Sequence, residues 1–183
     1  MAVRPVRIYG DPVLRQKARD VLEFDDSLRA LVADLYDTMK AYNGVGLAAP
    51  QVGVAQRIFV VDVPAEDGSR DRFAVINPQL DQRKGKDVAE EGCLSMPGVL
   101  EDVTRAYELR LRWQDVYGKQ HDRMVDDYLA RAIQHEADHL DGVLFTDRLS
   151  PLKKQFLRRQ LDALARGELP QDYHPSKGEG QRS

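Results

Sequence analysis

Two histidines, His135 and His139, lie four residues apart in the segment QHEADHLDG at residues 134–142. On a helix, side chains at this spacing project from the same face, close enough together to bind one metal ion. Glu136 lies between them, so its carboxylate can reach a water on that metal without binding the metal itself. The same HExxH pattern also arises by chance, and its histidines are then surface residues or hydrogen-bonded core groups. The rest of the chain must decide between these readings.

Two other segments carry residue types that could take part in chemistry. Cys93 is the only cysteine, within EGCLS at residues 91–95, so it forms no internal disulfide. Beside paired histidines, a lone cysteine has two options, a thiolate nucleophile or a metal ligand. The segment GVGLAAPQ at residues 44–51 has few bulky side chains, which suits close approach by another chain. Taken alone, that segment more simply indicates a tight, packed turn.

The elements that position these groups can be inferred from periodicity. Helical spacing relates Leu129, Ile133 and Leu140, which predicts a helix that is buried along its length. Glu136 falls on the same stripe, and a carboxylate removed from water is a stronger base than an exposed one. Gly142 is placed where a helix end prefers glycine.

Further helices and strands are expected on both sides of this segment. One helix should begin near residues 25–27, and another at Pro151, with Phe156, Leu157, Leu161 and Leu164 on its apolar side. Composition and alternation predict strands at residues 58–63, 73–76 and 108–113. We expect a solvated loop at residues 81–87 and an irregular segment at residues 91–98.

The whole chain has the composition of an ordinary globular protein, with 183 residues, 42% of them hydrophobic and 31% charged. We expect a single catalytic domain at residues 1–166 and a flexible, polar C-terminal tail at residues 167–183. The net charge of -3 argues against a general nucleic-acid binder, so we expect no DNA partner. No apolar run has membrane-spanning length and residues 1–5 lack a signal-peptide core, which predicts a cytoplasmic protein without a membrane partner.

Together the three segments resemble a known family. Residues 44–51, 91–95 and 134–139 look like the three signature motifs of peptide deformylases, in the family's order. Residues 8–15 (IYGDPVLR) also resemble the usual opening of that family, so the similarity covers nearly the whole chain. The resemblance implies an α+β fold, in which mainly antiparallel β-sheets surround a central metal-binding helix and a further helix lies at the C-terminal end.

The resemblance also implies a metal site. One divalent metal ion would be held by Cys93, His135 and His139, with water completing a tetrahedron. Three protein ligands and an open position are typical of catalytic metals, whereas a fourth side-chain ligand marks a structural site. Family members naturally use Fe(II), and Zn, Ni or Co can substitute.

The implied reaction is removal of the N-formyl group from the N-terminal formyl-methionine of newly synthesised polypeptides, with release of formate. Glu136 takes a proton as water attacks the formyl carbon, and later delivers it to the leaving nitrogen. The Gln51 side-chain amide and the Leu94 backbone N–H stabilise negative charge on the formyl oxygen. Glu91 is expected to pair with Arg105, as the equivalent residues do in the family.

The substrate contacts implied by the resemblance are of two kinds. Main-chain hydrogen bonds at Val45, Gly46 and Gly92 hold an extended peptide, which is a form of β-augmentation. An apolar pocket accepts the methionine side chain, and its candidate walls are Val45, Tyr128, Ala132 and His135, with the stem of Arg131 at the rim. The chain departs from the common pattern at Leu100 and at Tyr128, which leaves the preference for residues beyond methionine open.

Two other functions would use parts of these motifs, and one macromolecular partner is expected. A zinc endopeptidase would use HExxH with a distant third ligand, but it would not account for the other two motifs. A structural metal site or a peptide-binding protein would not need Glu136 and Gln51. The basic face of the last helix is expected to contact the ribosome near the tunnel exit, as in family members, or to be an ordinary solvated face.

Overall fold

The computed structural model describes residues 2–174 and has an α+β fold, as predicted. Over these residues the α-helices are α1 (Asp26–Ala41), α2 (Asp127–Leu140) and α3 (Pro151–Ala165). The β-strands are β1 (Gly46–Ala48), β2 (Ile58–Pro64), β3 (Arg70–Lys84), β4 (Asp87–Cys93), β5 (Met96–Arg105), β6 (Glu108–Gln114) and β7 (Gln120–Asp126). None of these helices is long and apolar enough to cross a membrane.

The named strands form two antiparallel sheets. Five strands pair in the order β1-β2-β3-β6-β7, and β4 pairs with β5 as a separate hairpin. Helix α2 is packed against the large sheet through a core that includes Leu129, Ile133 and Leu140. These are the apolar residues whose spacing predicted a buried helix, and the prediction is confirmed.

Each of the other two helices is preceded by a side chain that caps its N-terminus. Asp25 precedes α1 and accepts a hydrogen bond from the Leu28 backbone N–H at 3.0 Å. Ser150 precedes α3 and accepts one from the Lys153 backbone N–H at 3.3 Å, with Pro151 in the first helical turn. Both caps satisfy backbone donors that have no partner within the helix.

The expectation of a loop at residues 81–87 is wrong, although most of these residues are exposed as expected. Strand β3 does not end at Asn77 but continues to Lys84, and β4 begins at Asp87. Asn77 has a positive φ of 50° and forms an irregularity in the strand, across which pairing with β6 resumes. Its side chain donates to the Val21 carbonyl and the Gln114 amide oxygen, so this irregular position is held from both sides.

The segment at residues 91–98 is also more regular than expected. It contains the end of β4, a two-residue turn at Leu94 and Ser95, and the start of β5. Cys93 is paired with Met96 across that turn. The segment therefore places the thiol at the tip of a hairpin.

Helix α3 uses a narrower apolar face than its sequence suggested. Leu161 and Leu164 are buried, but the Phe156 side chain is 78% exposed, which corrects its expected position. Leu161 follows Phe156 by five positions, a rotation of about 140° around the helix, so the two cannot share one narrow face.

Beyond α3, the chain returns towards the second motif. The Tyr173 hydroxyl donates to the Leu94 carbonyl, and its ring lies against that of Tyr42. Residues 167–174 therefore include a side chain that contacts the folded domain. The remainder of the expected tail, residues 175–183, lies outside the described residues.

Candidate active site

Three side chains that can bind a metal converge where α2 meets the hairpin. The ligand atoms of Cys93, His135 and His139 all lie within 4.8 Å of one another. The Cys93 Sγ atom is 3.4 Å from Nε2 of His139, and the two imidazole rings have centroids 5.1 Å apart. One thiolate and two imidazoles within this distance are a suitable donor set for a single transition-metal ion.

The two histidines have different surroundings although they share one face of α2. Nδ1 of His135 is 2.8 Å from Oε1 of Glu91, which leaves Nε2 free to face the cluster. Burial alone lowers the pKa of His135, but its hydrogen bonds with Cys93 and Glu91 outweigh burial and raise the pKa well above its usual value. Burial and the neighbouring His135 lower the pKa of His139, so His139 is held as the neutral ligand form.

Glu136 is buried beside these ligands and has one unsatisfied oxygen. Its Oε2 atom has no hydrogen-bond partner among the described residues, although the residue is only 5% exposed. Burial raises the pKa of Glu136 to about 7. A buried carboxylate oxygen without a partner costs free energy, and a metal-activated water would supply the missing partner.

Strand β1 lies close to this carboxylate at Gly46. A Cβ atom placed on Gly46 would lie 2.6 Å from Oε1 of Glu136. Such a distance is too short for two non-bonded atoms, so a side chain at position 46 would displace the Glu136 carboxylate. The resemblance assigned Gly46 only to substrate binding, and this second constraint could not be read from the motif.

The Gln51 side chain is directed towards the same point. Its Oε1 atom accepts from the Ala48 N–H at 2.9 Å, which leaves the amide nitrogen as the donor. That nitrogen lies 3.2 Å from Ser95 Oγ and 3.5 Å from Cys93 Sγ. The Leu94 backbone N–H, the other expected donor, belongs to the adjoining turn.

An ionic network beneath the cluster holds the hairpin to α2. Glu91 pairs with Arg105 at 2.9 Å and with Arg131 at 2.6 Å, and both arginine side chains are buried. Arg105 also reaches Asp138 of α2 at 2.6 Å. Burial alone would raise the pKa of Glu91, but hydrogen bonds from Arg105 and His135 hold it well below its usual range. The predicted pair of Glu91 and Arg105 is confirmed.

The predicted substrate residues line one cavity that opens beside the cluster. The cavity has a volume of about 490 Å³, and its walls include Val45, Gly46, Gly92, Tyr128 and Ala132. Its residues therefore come from the first motif, the hairpin and the start of α2.

One expected pocket residue has a different position. Arg131 contributes to the cavity wall, but its guanidinium is buried in ion pairs with Glu91 and Asp87 rather than placed at an open rim. Tyr42 and Tyr173 are among the wall residues that had no assigned role in the sequence. No motif contains them, so only the fold could reveal their position.

Comparisons with known proteins decide the family. The sequence model of the polypeptide deformylase family matches residues 3–155. A peptide deformylase of Acidobacterium capsulatum is 42% identical over 166 residues, which cover 91% of this chain and 98% of the relative. One from Thermotoga petrophila is 45% identical over 162 residues, covering 88% of this chain and 96% of the relative. The chain belongs to the peptide deformylase family.

Solved structures of this family have the same fold. The crystal structure of a peptide deformylase from Thermus thermophilus gives a TM-score of 0.83 at 44% identity, and covers 90% of this chain and 99% of that one. A Legionella pneumophila peptide deformylase also gives 0.83, at 40% identity, with 92% and 100% covered. The predicted family, fold class and activity are confirmed: the chain is an enzyme that removes the N-formyl group from nascent peptides.

Proposed function

We propose that the chain hydrolyses the formyl amide with Glu136 as general base and one divalent metal ion held by Cys93, His135 and His139. The observation that supports this most directly is the unpartnered Oε2 of Glu136 beside the three ligand atoms. When bound, the metal supplies a Lewis acid that lowers the pKa of water and polarises the formyl oxygen. We propose Fe(II) as the native ion, with Zn, Ni or Co as substitutes, because a thiolate and two imidazoles suit these ions.

Glu136 transfers one proton twice in this mechanism. Its carboxylate accepts a proton from water as the water oxygen bonds to the formyl carbon. The same proton then passes to the amide nitrogen, the C–N bond breaks, and formate and a free N-terminal amine are released. Burial of the carboxylate favours both steps, since it raises the pKa of Glu136 towards neutrality.

Two donors stabilise the negative charge that develops on the formyl oxygen. They are the amide nitrogen of Gln51 and the backbone N–H of Leu94. Gln51 is held in the donor orientation because its oxygen already accepts from the Ala48 N–H. Donors that are fixed before the reaction need no reorganisation when the charge forms.

The peptide is bound mainly through its backbone. Val45 and Gly46 on one wall and Gly92 on the other provide main-chain groups for an extended chain. Tyr128 and Ala132 form the methionine pocket, and Arg131 supports it. This mode of binding is suited to many different nascent sequences because it makes little use of their side chains.

We place the reaction in the cytoplasm, on formyl-methionine chains that emerge from the ribosome, with residues 1–166 as the catalytic domain. Helix α3 supports a ribosome contact because it exposes both Phe156 and basic side chains such as Lys154 and Arg158. Co-sedimentation with ribosomes should weaken in a Lys154→Glu, Arg158→Glu variant. Equal co-sedimentation of variant and wild type would favour an ordinary solvated face.

The test of the proposed function compares two hydrolytic activities of the purified metal-loaded enzyme. Formate release from a formyl-methionine tripeptide should be rapid, and internal cleavage of casein should be absent. Glu136→Ala should abolish formate release while the metal stays bound. Casein cleavage without formate release would favour an endopeptidase, and formate release by Glu136→Ala would exclude Glu136 as the base.

A further inference from the structure

The chain after α3 contributes a wall to the active-site cavity. Asp172, Tyr173 and His174 all line it, and they lie beyond residues 3–155, which match the family. A local turn shapes the segment, since the Tyr173 N–H donates to the Pro170 carbonyl at 3.1 Å. The contacts of Tyr173 with Leu94 and Tyr42 place this turn at the active site.

Tyr173 bridges the C-terminal end of α1 and the tip of the hairpin. Its hydroxyl donates to the Leu94 carbonyl at 3.0 Å. Its ring centroid is 5.5 Å from that of Tyr42, which stands at the C-terminal end of α1, just before the first motif. Burial raises the pKa of the Tyr173 phenol, so the hydroxyl stays protonated and remains a donor.

Each of the two residues in the hairpin turn has a carbonyl that accepts a hydrogen bond from a residue outside the hairpin. The Ser95 carbonyl accepts from the Tyr9 N–H at 2.8 Å, and the Leu94 carbonyl accepts from Tyr173. Hydrogen bonds at consecutive carbonyls fix the orientation of two successive peptide groups. The Leu94 N–H belongs to the preceding peptide group, which lies between the held Leu94 carbonyl and Cys93, itself paired with Met96 across the turn. Restraint at both ends limits the direction of this N–H.

We propose that Tyr173 is a positioning residue for deformylation, because its hydroxyl fixes the turn whose Leu94 N–H stabilises the developing oxyanion. The proposal rests on the proposed function, in which Leu94 is an oxyanion donor. Tyr173 does not contact the reacting atoms in this account. It acts by keeping Leu94 preorganised, so its effect belongs to the transition state rather than to peptide binding.

The test uses Tyr173→Phe, which removes the hydroxyl and keeps the ring. Tyr117→Phe is the matched control, because Tyr117 is 73% exposed and lies in the turn between β6 and β7. A third chain that ends at Glu168 removes the whole segment. Each is compared with the wild type in kcat, KM, metal content, melting temperature and amide hydrogen exchange of Leu94 and Ser95 by NMR.

We expect kcat of Tyr173→Phe to fall about fivefold, the loss that corresponds to one neutral hydrogen bond. KM, metal content and melting temperature should stay at wild-type values, and exchange at Leu94 and Ser95 should accelerate. The shortened chain should show the same fall in kcat together with a higher KM, because it also loses the cavity wall. Tyr117→Phe should match the wild type throughout.

Unchanged amide exchange in Tyr173→Phe would overturn the proposal whatever the activity. An unchanged kcat would overturn it too, as would a loss of kcat that follows a loss of metal. Failure of the proposed function has a separate signature: Glu136→Ala would still release formate, while the exchange of Leu94 and Ser95 would still respond to Tyr173→Phe.

Discussion

The ligands of the candidate metal come from two regions that are built differently. Helix α2 supplies His135 and His139 from one buried face, and its own backbone sets their separation. The β4–β5 hairpin supplies Cys93 from its tip and has no such internal constraint on where that tip lies. Its position relative to α2 depends on Glu91, which pairs with Arg105, Arg131 and His135.

Because of this difference, we expect α2 to determine mainly the reaction and the hairpin to determine mainly how the metal site is assembled. Changes on the α2 face should affect mainly the reaction, because the apolar side of the helix keeps the fold intact. Changes at the base of the hairpin should affect stability and metal retention, because they release the region that carries the thiol. The following substitutions test that separation.

The largest effect is expected from Glu136→Gln on the helix side. Removal of the general base should lower kcat by at least about 10³-fold, since a positioned base typically contributes 10²- to 10⁴-fold and Glu136 acts in two steps. Metal content and melting temperature should be preserved. Glu66→Gln, in the exposed turn after β2, is the control. A loss of metal equal to the loss of rate would contradict the division between the two regions.

Glu91→Gln tests the hairpin side. Two buried arginines would lose their shared carboxylate, which should reduce the free energy of unfolding by about 3–5 kcal/mol. Metal affinity should fall about 10- to 100-fold, because His135 loses its orienting partner. Chemical denaturation and competition with a chelator measure the two changes. Glu90→Gln, on the exposed side of the same strand, should change neither.

The pH dependence of stability should distinguish wild type from Glu91→Gln. The pKa of Glu91 is lower in the folded chain than its ordinary value of 4.5, so the carboxylate contributes stability above that value. This contribution is lost as the pH falls through and below 4.5. Denaturation of the two metal-free proteins should therefore give a stability difference at neutral pH that shrinks in acid. A constant difference would exclude the ionic network as its source.

The smallest effect is expected from Ser95→Ala, at the junction of the two regions. The buried Ser95 hydroxyl accepts from the Gln51 amide nitrogen, so its loss leaves that donor less well oriented. We expect kcat to fall about fivefold with little change in metal content. Ser69→Ala in the β2–β3 turn is the matched control. A loss of metal in Ser95→Ala would instead assign Ser95 to assembly.

The same difference explains what could be predicted from the sequence. Helix α2 was predictable because apolar residues at helical spacing, such as Leu129 and Ile133, are a local signal. Strand β4 was not, since Glu91 is its only buried residue and no apolar alternation is present. The hairpin is stabilised by charges that lie far apart in the chain, among them Arg105 and Arg131, and local patterns do not report such pairs.

The exposure of Phe156 and the contacts of Tyr173 could not be predicted from the sequence for other reasons. Phe156 was assigned to the apolar side of α3, but it lies about 140° around the helix from the buried Leu161 and is exposed. Tyr173 lies in a polar segment whose composition indicated a tail, and its contacts depend on where Tyr42 and Leu94 are brought by the fold. The motifs therefore located the chemical groups, while the supports around them required the structure.

The central claim is that one metal ion joins the hairpin to α2, and cobalt substitution tests it most directly. The enzyme loaded with Co(II) should bind one ion per chain and show a thiolate-to-cobalt charge-transfer band together with the visible bands of tetrahedral cobalt. Cys93→Ala should lose the charge-transfer band, and His139→Ala should lose the tetrahedral bands. A wild-type spectrum without thiolate ligation, or one that Cys93→Ala leaves unchanged, would contradict the shared site.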